Sequence, residues 1–67
     1  MNEIGGLPLP KVGAPAARAL AGAGYVRLEQ FTDVTEAQLA RLHGVGPLAI
    51  NRIRDALAGN GLGFAPD

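Results

Sequence analysis

Gly44-Val45-Gly46-Pro47 is the stretch whose residue types and spacing point to chemistry, and backbone amides would do it. Two glycines around one apolar residue, followed by proline, suit a tight link between helices. Gly44 closes the incoming helix in the left-handed conformation that glycine adopts freely. Gly46 takes the N-cap of the outgoing helix, and Pro47 its first position, where the missing N–H costs nothing. Val45 is the apolar tip that tucks the link under both helices. Such a link is expected to leave the amides of Val45, Gly46 and the next helical turn unpaired and facing outward. Unpaired amides at a helix start attract anions, so the predicted chemistry is the grip of a phosphate.

The side chains offer little else. The chain has no serine, no cysteine and a single histidine, so no Ser–His or Cys–His nucleophile can be assembled. His43 reads as a helix-end residue rather than a phosphate contact. Glu29, Asp33 and Glu36 are too sparse for a metal cage and suit a solvated face. An enzyme is the least expected class, and the residues call for no cofactor. Gly44 to Ala49 also fits a loose dinucleotide fingerprint, which needs a strand before it and a βαβ unit around it. Leu39 and Leu42 precede it at helical spacing instead, and too little chain follows for a second strand.

Four helices must position this link. The first is expected to open with Gly13 or Ala14 as cap and Pro15 next, ending near Gly22 or Gly24. A short helix over Leu28 to Phe31 turns those two residues inward. The third begins at Glu36: Thr35 and Gln38 form a capping box, Val34 and Leu39 a hydrophobic staple. Leu39 and Leu42 form its apolar face. The fourth runs from Pro47 to about Ala58, with Ile50, Ile53 and Leu57 as its core stripe and Gly59-Asn60-Gly61 as its stop. Leu48, Asn51 and Asp55 lie on its exposed face, flanked by Arg52 and Arg54. No segment alternates as a strand would. The predicted fold is all-α, with four to five helices.

Residues 1–8 read as an extended lead-in whose Ile4 and Leu7, like Leu9 just after it, lie on the core. Residues 9–64 form the domain, with Leu62 and Phe64 folding back on it, and residues 65–67 are expected to fray. At 67 residues, without cysteine, the chain can build one small core and no disulfide. It shows neither a signal peptide nor a membrane span, and is read as a soluble, cytoplasmic monomer. Its net charge is zero, which argues against a powerful non-specific nucleic-acid binder. The charges run in blocks: Lys11, Arg18 and Arg27, then Glu29, Asp33 and Glu36, then Arg41, Arg52 and Arg54.

A shift of 33 positions aligns Leu9 with Leu42, Val12 with Val45, Gly13 with Gly46, Ala16 with Ala49 and Ala23 with Ala56. Leu20 then meets Ile53, while Lys11 stands in the place of Gly44. The pattern is that of a worn internal duplicate.

Leu42-x-Gly44-Val45-Gly46-Pro47, entering small and aliphatic helical residues, resembles the helix-hairpin-helix motif. Over residues 9–64 the order is Pro-x-x-Arg-Ala-Leu, Leu-Glu-Gln-Phe, Val-Thr-Glu-x-x-Leu, Gly-Val-Gly-Pro and Gly-Leu-Gly-Phe. That order is similar to the C-terminal domain of the bacterial RNA polymerase alpha subunit and to small stand-alone bacterial DNA-binding proteins of that type. The resemblance implies a compact SAM-like domain of two helix-hairpin-helix units, the first degenerate and the second well formed. It implies duplex DNA held at the minor groove by hairpin and helix-start amides, a role in transcription, and a monovalent cation on the hairpin carbonyls. Carried over, the backbone contacts fall on Gly44, Val45, Gly46 and the amides of Leu48 and Ala49. Lys11, Arg18, Asn51, Arg52 and Arg54 would complete the footprint. The side chains depart from the family: its minor-groove arginine falls at Pro15, its asparagine at Arg18, its lysine at Leu48 and its serine at Ala49. The expectation is weak, largely sequence-independent DNA binding. The alternative is a protein-interaction module that kept the fold and docks a partner through the Leu48 face.

Overall fold

Glycine and proline punctuate the chain into short helices, and the computed structural model describes residues 6–66 of it. Helix α1 (Ala14–Gly22) is capped by Gly13, with Pro15 in its second position, and turns Ala16 and Leu20 inward. A 3₁₀ helix follows over Leu28–Asp33, then α2 (Glu36–Ala40) and α3 (Pro47–Gly59). Among the described residues there is no strand, as expected.

Both long helices end in the same way. The Gly24 amide donates to Ala21 O and the Tyr25 amide to Leu20 O; at the other end Gly61 donates to Ala58 O and Leu62 to Leu57 O. This paired closure satisfies the last carbonyls; Tyr25 packs against the core, whereas Leu62, expected to fold back on it, is exposed.

The core is built from one to three residues of each element. Leu20, Leu28, Phe31, Leu39, Ile53 and Leu57 are fully buried, with Val12, Ala16, Val34, Val45 and Ala49 beside them. Each large side chain contributes about 1.5–3 kcal/mol relative to exposure. Phe31 is the hub: Tyr25 stacks on it at 5.0 Å and Phe64 meets it edge-on at 6.3 Å. The α3 stripe runs through Ala49, Ile53 and Leu57, and Ile50 is only half-buried. The expected stripe is thus rotated toward Ala49, whose small side chain lets α3 approach its neighbours closely.

The capping box and staple of α2 are present. Thr35 Oγ1 accepts from the Gln38 amide at 3.0 Å, Gln38 Oε1 from the Thr35 amide at 2.9 Å, and Val34 and Leu39 are both buried. Helix α2 is shorter than expected, ending at Ala40 rather than at His43. The Arg41 and Leu42 amides donate to Gln38 O and Leu39 O, three residues back, so the last turn tightens into 3₁₀ geometry.

Both ends of the described segment are tied to the helices between them. The Leu28 amide donates to Leu7 O at 3.0 Å, and the Leu7 amide to Glu29 Oε1 at 2.8 Å. Glu29's own amide, then that of Leu7, holds its carboxyl below the usual range. Leu7 and Leu9 pack against the core as expected, whereas Ile4 lies outside the described residues. The Ala65 amide donates to Val34 O at 2.9 Å, anchoring the segment that carries Phe64. Pro66 is exposed, and Asp67 lies outside the described residues.

Candidate nucleic-acid interface

Between α2 and α3 the chain makes a tight turn. The Val45 amide donates to Leu42 O at 3.1 Å, and Gly44 sits at the third position with φ 98°. A turn of type II character requires that positive φ. The Val45 side chain is buried, as expected of the apolar tip. Its amide, expected to face outward and unpaired, is instead consumed by the turn. The anion-competent groups therefore start one residue later. None of the described residues accepts a hydrogen bond from the amides of Gly46, Leu48 or Ala49, and Ile50 is the first to bond back, to Gly46 O. The Gly44 amide has no acceptor among the described residues either.

Tertiary packing brings the start of α1 against this turn. A Cβ on Gly44 would lie 3.0 Å from Pro15 O and 3.4 Å from the Ala19 Cβ. On the other side Arg52 Nη1, from α3, donates to Lys11 O at 3.2 Å. In the 33-residue register Lys11 corresponds to Gly44 and Ala19 to Arg52, so the two contacts are equivalents of each other. The turn before each helix leans on the other helix. Burial follows the same register: Val12 and Val45 are 8% and 9% exposed, Ala16 and Ala49 3% and 2%, Leu20 and Ile53 both 0%. Gly13 and Gly46 are both N-caps without a side-chain bond. Ala23 and Ala56 do not match, being exposed and half-buried.

The side chains singled out from the sequence divide into two groups. Lys11, Arg18 and Leu48 project from exposed positions, Leu48 at 61% exposure, and Arg52 is exposed with one guanidinium nitrogen on Lys11 O. The Ala49 side chain is buried, so only its amide can reach a ligand. Arg54 and Asn51 are engaged elsewhere. Arg54 Nε and Nη2 donate to the two carboxylate oxygens of Glu36 at 3.0 and 2.6 Å, and Nη1 to Asn51 Oδ1 at 2.6 Å. This fork joins α2 to α3 across the link and satisfies the guanidinium within the protein. In this arrangement Arg54 and Asn51, singled out for a phosphate, are turned to Glu36 and to each other. The clue was a Glu in the first turn of α2 and an Arg in α3, but nothing local in the sequence says that they meet.

Hydrogen bonding to Arg54 holds the Glu36 carboxyl below its ordinary 4.5, and the same bond pushes the Arg54 guanidinium up. A carboxyl depressed in the folded state stabilises above its unfolded pKa, and that contribution is lost as pH falls through the folded value. Both side chains are largely solvated, 46% and 44% exposed, so the effect on stability is small. It is nonetheless readable. The Glu36 carboxyl resonance should titrate with a midpoint below 4.5, and Arg54→Ala should return it to the ordinary range. A midpoint unmoved by Arg54→Ala would mean that the fork does not persist in solution.

Among the described residues no cluster of acidic or histidine side chains could hold a metal ion, and no helix is long and apolar enough to cross a membrane. No protein-family model, curated protein or solved structure matches the chain.

Proposed function

We propose that this chain is a small non-enzymatic protein that binds the phosphate backbone of duplex DNA from the minor-groove side. In this reading residues 9–64 are two helix-hairpin-helix units, worn in the first and intact in the second. The observation that carries it is the open set of amides at Gly46, Leu48 and Ala49, on a helix start set beside a glycine turn. Amides of this kind contact phosphate without reading bases, in keeping with largely sequence-independent binding. A cation on the turn's carbonyls would strengthen the same contact. Lys11, Arg18 and Arg52 supply the surrounding charge, whereas Arg54 is neutralised by Glu36. With so few cations, affinity falls within about 10⁻⁴–10⁻⁶ M and drops steeply with salt.

The exposed Leu48 favours a second reading, docking of a protein partner on the same face. A salt titration of binding to a short duplex separates the two. Leu48→Lys adds a phosphate contact, so the slope of log K against log salt should steepen by about 0.9. Arg52→Ala should flatten the slope by a similar amount, and Arg54→Ala should leave it unchanged. Absence of duplex binding by both the wild type and Leu48→Lys at low salt would discard the DNA reading in favour of the partner.

A further inference from the structure

The structure assigns Asn60 as a site of spontaneous deamidation that the closing motif of α3 restrains in the folded chain. Asn60 is followed by Gly61, so no side chain obstructs attack by the next backbone nitrogen. The reaction needs no partner but water. The Gly61 nitrogen loses its proton and bonds to Asn60 Cγ, the Cγ–Nδ2 bond breaks, and ammonia leaves. Water then opens the cyclic imide at either carbonyl, giving aspartate or isoaspartate.

Three features of the fold oppose the first step. The Gly61 amide donates to Ala58 O at 3.0 Å, which disfavours loss of its proton. Asn60 Nδ2 donates to Ala56 O at 2.8 Å, holding the side chain back along the helix. The Leu62 amide donates to Leu57 O at 2.8 Å and fixes Gly61 between these two bonds. Asn60 and Gly61 are nevertheless exposed at a helix end, where local opening is least costly. Deamidation therefore proceeds through the opened last turn. The product in turn loosens the motif: it cannot donate to Ala56 O, and it places a carboxylate at the negative end of the helix. Isoaspartate further lengthens the backbone within the motif.

The test follows residue 60 by peptide mapping in heavy-oxygen water, at neutral pH and body temperature. It compares the whole folded protein with a peptide spanning residues 57–63. The folded protein should react about tenfold or more slowly, because the population of the opened turn enters the rate directly. Urea should bring the two rates together. Equal rates without urea, or no reaction in the peptide, would overturn the assignment. Asn60→Asp supplies the product directly, and the Gly61 and Leu62 amides should then exchange with solvent several-fold faster. Unchanged exchange would overturn the loosening of the motif by the product.

Discussion

Replacing Gly44 with valine should destabilise the domain by more than about 1 kcal/mol, lowering its melting temperature by about 4–8 °C for each kcal/mol lost. Two independent costs meet at this position. The backbone sits at φ 98°, which a β-branched residue strongly resists. A Cβ there also comes within 3.0 Å of the Pro15 carbonyl, a backbone atom of α1 that cannot swing aside. Gly13 separates the two costs. It has a similar φ of 91°, yet a Cβ at Gly13 would meet nothing within 4 Å. Gly13→Ala should therefore show a conformational cost alone, one raised by ψ 153°, which puts Gly13 in a region open essentially to glycine. A domain of 67 residues has about 3–10 kcal/mol in all, so Gly44→Val should leave a visible unfolded fraction at modest temperature. Thermal unfolding followed by circular dichroism checks this. A wild-type melting temperature in Gly44→Val would show that neither cost operates at the turn.

Local rules made much of the fold legible. Thr35 with Gln38, and Val34 with Leu39, mark the start of α2 because their interactions span only a few residues. Glycine and proline mark the ends of α1 and α3 for the same reason. The end of α2 was not legible, because a five-residue helix tightens into whatever turn follows it. Gln30 escaped too: its Oε1 accepts from the Val26 and Arg27 amides and its Nε2 donates to Gly24 O, clamping the loop before the 3₁₀ helix. That residue type suits many surface positions, so nothing in the sequence singled it out.

The candidate site was legible as a pattern but not as a set of free groups. Glycine spacing located the turn, yet the turn's own hydrogen bond consumed the Val45 amide. Arg52 and Arg54 look alike in sequence, two residues apart on one helix. Their partners lie at Lys11 and Glu36, and only the packed fold tells them apart. The block pattern of charges, basic then acidic then basic, is therefore partly cancelled in three dimensions where Arg54 meets Glu36, with Lys11, Arg18 and Arg52 outside that pairing.

Gly46→Asp should move stability and DNA binding in opposite directions. The site accepts the side chain without strain: φ is −113°, and nothing lies within 4 Å of a Cβ at this position. Aspartate is among the best N-caps, whereas Gly46 provides no side-chain cap, so α3 should gain a few tenths of a kcal/mol. The same carboxylate would occupy the amides proposed to receive a phosphate, and its charge would repel one. Duplex binding should become undetectable while the melting temperature holds or rises. Gly46→Val serves as the uncharged comparison, since it obstructs backbone approach without adding repulsion. It should weaken binding at low salt with only a minor loss of stability. Should Gly46→Asp bind duplex DNA as the wild type does, the start of α3 is not the contact surface. The exposed Leu48 beside it would then be left to a protein partner.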